Sequence, residues 1–407
     1  MFDVEEIRKD FPMLKTTMHD HPLVYLDNGA TTLKPQCVID KVVEYLTSYS
    51  GNAHRGDYDL SHKVDEEYES SREVIAKFIN ANAKEIVFTS GSTDSLNMIA
   101  FGFGRVVLNK GDEVLLTVAE HASNTLPWFE VCKEKQAHVN YIPLDDQGRV
   151  TLENVKKTIT NNTKIISLAH VTNVLGYEVP IKEICEYAHH LGIYVIVDGA
   201  QSTPHNKIDV QDLDCDFLAF SGHKMCGPTG IGVMYGKYDL LKITEPLRLG
   251  GGSNTRYNSC GVVSLKNPPY KFEAGTPHIE GVLGLKAAVQ YLEKIGMDHI
   301  HNYEVELRQY CISKMKELDN IEIYNEDSTG AIAFNIKGVF SQDGASLFNT
   351  YGIAVRAGQH CAKILDEFLG VSQTLRVSFY FYNTKEEIDK FIEVCKKGDD
   401  FLDAFFG

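Results

Sequence analysis

Four residues of this sequence pair a reactive side chain with a setting that favours its use. Lys224 lies in Ser221-Gly222-His223-Lys224-Met225-Cys226-Gly227-Pro228, a small glycine-bounded loop after the apolar run Asp216–Phe220. A lysine there is poorly placed for a solvated role and well placed to be a desolvated amine that forms a Schiff base; a stray loop lysine is the plain alternative. Asp198 ends the apolar run Tyr194–Val197. An ionised carboxylate in that place is costly unless it meets a cation or hydrogen-bond donors, and a structural salt bridge or helix cap would serve as well as a ligand. His121 follows Glu113–Val118 in Ala119-Glu120-His121-Ala122, where an imidazole can stack on a ring and exchange a proton near neutral pH, or simply bond within a turn. Cys361 follows the run Ile353–Arg356 in the polar stretch Gly358-Gln359-His360, a setting for a nucleophile rather than for buried filler.

Asp198 and Lys224 together narrow the chemistry. A strand-end Asp followed by a strand-end Lys is what a pyridoxal phosphate enzyme requires: the acid keeps a ring nitrogen protonated, and the lysine holds the aldehyde and moves protons. A phosphate site is offered by Ser90-Gly91-Ser92-Thr93, after Glu85–Thr89 and before the helical run Asp94–Phe101, although a plain Ser/Thr helix cap reads the same way. No Walker A pattern occurs, and Gly227–Gly232 and Gly250–Gly252 lack the strand–turn–helix order of a dinucleotide fingerprint. A zinc reading of His121, His223 and Cys226 has no close-spaced ligand pair. His189-His190 is expected on a solvated helix face.

The elements that must position these residues alternate. Short β-branched runs (Glu85–Thr89, Glu113–Val118, Val139–Pro143, Lys164–Ala169, Tyr194–Val197, Phe217–Phe220) are separated by helical stretches such as Leu126–Lys135, Leu152–Thr158 and Ile181–Leu191. That pattern predicts a mostly parallel sheet flanked by helices, with the site beyond the carboxyl ends of the strands. Past residue 265 the texture becomes α+β: helices at Gly281–Gly296, Tyr303–Leu318 and Thr384–Cys395, and strands at Ala331–Ile336, Ile353–Arg356 and Leu375–Phe379. The expected division is a large domain, residues 20–265, and a smaller one built from residues 1–19 and 266–407. The 407 residues carry a net charge of −16, which disfavours nucleic acid and anionic membranes. No apolar run approaches the ~18 residues of a membrane span. Nine scattered cysteines without a CxxC pair predict free thiols in a cytoplasmic protein, with all but Cys361 as small buried filler.

Five stretches stand in order: Leu26-Asp27-Asn28-Gly29-Ala30-Thr31-Thr32, Asp198-Gly199-Ala200-Gln201, Ser221-Gly222-His223-Lys224, Phe272-Glu273-Ala274-Gly275-Thr276-Pro277 and Arg356-Ala357-Gly358-Gln359-His360-Cys361-Ala362. With them the chain, from about residue 4 to 396, resembles a fold-type I, class V aminotransferase-like protein, specifically a group II cysteine desulfurase of the SufS type. The resemblance implies a large α/β domain with a small α+β C-terminal domain carrying the active-cysteine loop, and a pyridoxal 5′-phosphate cofactor. Lys224 would hold that cofactor as a Schiff base, Asp198 would face the ring nitrogen, and His121 would stack on the ring as acid and base. Gln201 would bond the ring oxygen, with Asn173 nearby. Ser92, Thr93, Ser221 and His223 would hold the phosphate, completed by Thr276 from the other subunit of a homodimer. Arg376 would clamp the substrate carboxylate, with Asn173, Arg356, His54 and Arg55 lining the cleft; no metal is implied.

The implied reaction takes sulfur from L-cysteine, releases L-alanine and leaves a persulfide on Cys361 for a sulfur-acceptor protein of iron–sulfur cluster assembly. His360 and Arg356 are candidates to ionise that thiol. Alternatives are a selenocysteine lyase or cysteine-sulfinate desulfinase sharing the same residues, a transaminase, which has no use for Cys361, and a non-catalytic scaffold, which has no use for Lys224 and Asp198. Two departures stand out. The family's His-His-Cys-Ala with a following proline is Gln359-His360-Cys361-Ala362-Lys363-Ile364 here, which is expected to alter the loop and its acceptor docking. Phe340-Ser341-Gln342-Asp343 lacks the histidine found in relatives that serve a zinc-containing scaffold, so zinc-ligand exchange is not expected.

Overall fold

The computed structural model describes residues 2–53 and 56–398. Its centre is a seven-stranded sheet, in the spatial order Ile86–Thr89, Gly232–Gly236, Phe217–Ser221, Tyr194–Asp198, Thr163–Ala169, Glu113–Thr117, His138–Ile142. The last five are parallel and Gly232–Gly236 runs against both its neighbours. The parallel strands read as unbroken apolar runs because both faces are covered. Alternation sends Val195, Val197, Leu218 and Phe220 into one core, with Ile75, Ile184 and Val282 of the helices Asp59–Phe78, Ile181–His190 and Ile279–Ile295. Ile196, Phe217 and Ala219 point the other way, against Leu96, Phe103, Trp128 and Val131.

A four-stranded antiparallel sheet, Ile321–Ile323, Ile332–Ile336, Thr374–Val377 and Arg356–Gly358, has its own core with Leu307, Phe348, Ile388 and Phe391. Near the amino terminus, Val24–Tyr25 pairs in parallel with Ile353–Ala354, so Val24 and Leu26 belong to this second core. The helix Lys385–Lys396 starts at a capping box in which Thr384 and Glu387 satisfy each other's backbone N–H groups.

The predicted alternation is present, with differences of local cause. The helix expected at 94–101 is an α-helix, Ser92–Met98, that loosens into a π turn, Ile99–Gly104. The single strand expected at 353–356 is two: Ile353–Ala354 pairs with the amino-terminal strand, and Arg356–Gly358 joins the four-stranded sheet. The antiparallel strand Gly232–Gly236 was hidden in a glycine-rich stretch. All nine cysteines are free, and six are buried as filler, but Cys37 and Cys260 are exposed like Cys361. His189 is not a plain solvated residue, since its ring nitrogens lie 3.0 Å from Asp214 and 3.0 Å from Asp216. Among the described residues no helix is long and apolar enough to cross a membrane.

Candidate active site

The parallel strands end on one side of the sheet, and a cleft of about 780 Å³ opens there. Asp198 is the last residue of its strand, in register with Ala169 on one side and Ala219 on the other. It is buried, and Oδ1 accepts the Ala200 N–H at 3.0 Å, while Oδ2 accepts no hydrogen bond among the described residues. Burial pushes its acid above the usual carboxylate range, opposed by the Ala200 N–H and by Lys224. Lys224 closes the 3₁₀ turn Gly222–Lys224 that follows the neighbouring strand, and its amine has no hydrogen bond or ion pair among the described residues. Burial pulls that amine down to about 8, against the opposing pull of Asp198, so a usable fraction is unprotonated near neutral pH.

His121 stands where the strand Glu113–Thr117 runs out. Its Nδ1 accepts the Ser123 N–H at 3.1 Å, so a neutral ring carries its proton on Nε2. Burial, then Lys224, Arg356 and Arg376, lower it to about 4, so the ring is neutral at physiological pH. On the opposite wall, Ser221 Oγ accepts the Ser92 N–H at 2.7 Å and donates to Ser92 Oγ at 2.9 Å. The turn between them needs glycine. Gly91 has φ +150, and its Cα lies 2.4 Å from where a Cβ on Gly232 would stand. Thr93 is tied to Ser123 at 2.7 Å. With the His223 ring, lowered to about 4 by burial and by Lys224, this wall presents hydroxyls and backbone donors of the kind that hold a phosphate.

Gln201 and Asn173 line the same cleft with their amides committed. Gln201 Nε2 donates to the Gly29 carbonyl at 2.8 Å, and Asn173 Nδ2 donates to the His360 carbonyl at 2.8 Å, leaving Asn173 Oδ1 buried and unpartnered. The second bond brings the cysteine loop in. The Cys361 carbonyl accepts the Ala122 N–H at 2.7 Å, one residue past His121, and the Cys361 thiol is exposed within electrostatic reach of Lys224 and Arg376.

One candidate role is corrected. His360 does not face the thiol as a cation: it is buried, its Nε2 lies 3.0 Å from both Thr374 O and Oγ1, and burial lowers it to about 3. Thr276 is exposed, with Asn52 Nδ2 at 3.5 Å as its contact, outside the cleft of its own chain. Cys226 is sealed in the core, its thiol pushed up to about 12 by burial, and among the described residues no cluster of His, Cys, Asp and Glu could hold a metal. His54 and Arg55 lie outside the described residues.

Two carboxylates were missed. Asp27 Oδ1 pairs with Arg376 Nη2 at 3.3 Å, and Glu120 is buried beneath His121, accepting from Thr117, Asn124 and Ala169 N–H at 2.8 Å each. Asp27 sits inside a motif and Glu120 beside one, which is the only sequence signal either gave.

The Aminotransferase class-V family description matches residues 24–391. A probable cysteine desulfurase of Halalkalibacterium halodurans is 46% identical over 99% of this chain and 100% of its own length. A cysteine desulfurase of Haloferax volcanii is 42% identical over 96% of each chain. The crystal structure of the Escherichia coli cysteine desulfurase CsdA superposes with a TM-score of 0.91 at 37% identity, covering 99% of each chain.

Proposed function

The chain belongs to the class-V aminotransferase family, and from that premise we propose that it is a pyridoxal 5′-phosphate-dependent cysteine desulfurase. It removes sulfur from L-cysteine, releases L-alanine and leaves a persulfide on Cys361. The observation that carries this reading is an exposed thiol tied through its own carbonyl to the residue after His121, on the loop whose His360 lines the same cleft as His121, Lys224 and Arg376. A transaminase would have no use for that thiol.

The residues present fit the cofactor. The unspent Oδ2 of Asp198 matches a protonated ring nitrogen, the free amine of Lys224 matches an aldehyde, and the Ser92, Thr93, Ser221 and His223 wall matches a phosphate. When bound, the cofactor supplies an electrophilic carbon and a ring that absorbs the electron pair released at the substrate Cα. Lys224 would hold the cofactor through its amine and would carry the Cα proton, a task suited to an amine lowered to about 8. Asp198 keeps the ring nitrogen protonated. His121, neutral with its proton on Nε2, would pack against the cofactor and exchange a proton from that nitrogen. Gln201 and Asn173, each with a second amide hydrogen beyond the one given to Gly29 O or His360 O, would hold the cofactor's ring oxygen, and Arg376, with Arg356, would orient the substrate carboxylate.

In the sulfur step the Cys361 thiolate attacks the substrate sulfur. A sulfur–sulfur bond forms, the Cβ–S bond breaks, and Cβ takes a proton to become the methyl of alanine, so no outside oxidant or reductant is needed. Lys224 and Arg376 are the cations within electrostatic reach of Cys361, whereas His360 is turned to Thr374. We propose further that the protein works as a cytoplasmic homodimer that hands its sulfur to an acceptor protein of iron–sulfur assembly. Thr276, idle in its own chain, and the exposed apolar side chains of Val43, Leu46 and Leu60 support the dimer.

The test is a visible spectrum before and after L-cysteine, with alanine and sulfide measured. The protein should be yellow and change colour with substrate. Cys361→Ala should keep that change while alanine production falls by at least about tenfold. Wild-type alanine output from the variant would leave the cofactor assignment standing and remove the desulfurase one. Relative turnover of L-cysteine and L-selenocysteine separates the enzyme from a selenocysteine lyase.

A further inference from the structure

Arg376 is the most buried cation of the cleft wall, with its side chain 2% exposed, and it stands in an awkward place. In the antiparallel pairing of Arg356–Gly358 with Thr374–Val377, Arg376 lies directly opposite Arg356. Residues so paired share a face, and like charges directly opposite one another repel. Lys224 adds a third positive charge nearby. The carboxylate set among these three is that of Asp27. Burial pushes its acid up, and Arg376, Arg356 and Lys224 oppose that push.

The backbone around Asp27 is built to hold it there. Asp27 forms a parallel bridge with Ser378, two residues beyond Arg376, and the Ser378 N–H donates to Leu26 O at 2.8 Å. Gly29 N–H donates to Ser378 Oγ at 2.7 Å. A Cβ on Gly29 would stand 3.2 Å from Arg376 Nη2, so the guanidinium lies against a bare Cα, an approach that any larger residue would crowd. Held between these groups, Arg376 spends one Nη1 hydrogen on Asn173 O at 2.9 Å and one Nη2 hydrogen on Asp27 Oδ1 at 3.3 Å. One hydrogen on each of the two nitrogens is left for a ligand, and a carboxylate can take the two together.

We infer that Asp27 is the positioning residue for substrate-carboxylate recognition: its side-chain oxygen fixes the Arg376 guanidinium so that a bidentate face is presented to an α-amino acid. The inference rests on the reading of Arg376 as the carboxylate clamp. Without Asp27 the guanidinium keeps the Asn173 carbonyl as its one hydrogen-bonding anchor and faces Arg356 uncompensated, so it turns away and substrate binding weakens. The chemical step is untouched, because Asp27 contacts neither the reacting carbon nor the sulfur.

The experiment compares Asp27→Ala, Asp27→Asn and Arg376→Ala in the cofactor-loaded enzyme, reading KM, kcat, bound-cofactor absorbance and thermal midpoint. Asp27→Ala should raise KM for L-cysteine about tenfold, with kcat within about threefold of wild type and the cofactor spectrum unchanged. Asp27→Asn keeps an oxygen that accepts from Nη2 and should recover most of the KM loss. An unchanged or lowered KM in Asp27→Ala overturns the inference, as does an Asn variant no better than the Ala one. A parallel fall of kcat, cofactor absorbance and thermal midpoint in both Asp27 variants also overturns it, by making the role structural. If Arg376→Ala itself leaves KM unaltered, the carboxylate reading of Arg376 fails; if Arg376→Ala raises KM steeply while Asp27→Ala does not, only the present inference fails.

Discussion

Glu120 shows how a residue that touches no ligand can shape a site through its own ionisation. It accepts three hydrogen bonds, from the Thr117 hydroxyl, the Asn124 amide and the Ala169 backbone, tying the His121 turn to the neighbouring strand. Burial nevertheless pushes its acid up to about 7, and Asp198 pushes the same way. The sign follows from linkage: between pH 4.5 and 7 the unfolded chain has ionised this group while the folded protein has not, so stability falls as pH rises across that window and is level above it. Glu120→Gln keeps the shape and cannot ionise. The variant should therefore gain on wild type between pH 5 and pH 8, by up to about 3 kcal/mol, in paired denaturant unfolding curves. A difference that is the same at both pH values would mean the carboxyl is ionised throughout. Lys224, Asp198 and His121 could be read from sequence because each is a polar residue where an apolar run stops. Asp27 could not, because its partner is 349 residues away and only pairing of the two strand systems joins them.

At the scale of elements, the cysteine loop is held by what it docks on rather than by its own turn. His360 and Cys361 have consecutive positive φ values, 48 and 58, a conformation that costs side-chain-bearing residues about 1–3 kcal/mol each. Two tethers offset this, Asn173 Nδ2 to His360 O and Ala122 N to Cys361 O, both from beyond the ends of parallel strands. Both tethers end on backbone carbonyls of residues 360 and 361, so neither uses the Gln359 side chain. Removing one tether with Asn173→Ala should speed backbone hydrogen exchange at residues 359–362 and slow sulfur transfer to Cys361 more than it weakens cofactor binding. Unchanged exchange would assign the loop's conformation to the His360–Thr374 contacts instead. Sequence periodicity gave the two-sided sheet, since alternate residues in one strand belong to different cores. It could not give the π turn or the split at residue 355, which depend on which strands pair.

For the whole molecule, a net charge of −16 surrounds a cleft that gathers Lys224, Arg356 and Arg376. Positive charge is thus concentrated where a phosphate and a carboxylate would bind, and the exterior discourages larger polyanions. Thr276 lies in the segment anchored by Glu273, whose carboxylate meets Arg72 at 2.7 Å and the Phe88 N–H at 2.9 Å. The anchor fixes the segment, yet Thr276 stays exposed and outside the cleft of its own chain, so its proposed task is to complete the phosphate site of a partner copy. Such composite sites can be tested by complementation. Lys224→Ala has no amine for the cofactor but a sound Thr276, and Thr276→Ala has the reverse. Each alone should be inactive or weak at limiting cofactor. Unfolded together in equal amounts and refolded, they should form heterodimers in half of the population, each with one fully native site, returning about a quarter of wild-type sites. Alanine production at limiting cofactor reads that fraction directly. If every site drew all its residues from one chain, no mixed dimer could hold a native site and the mixture would show only the average of the two parents.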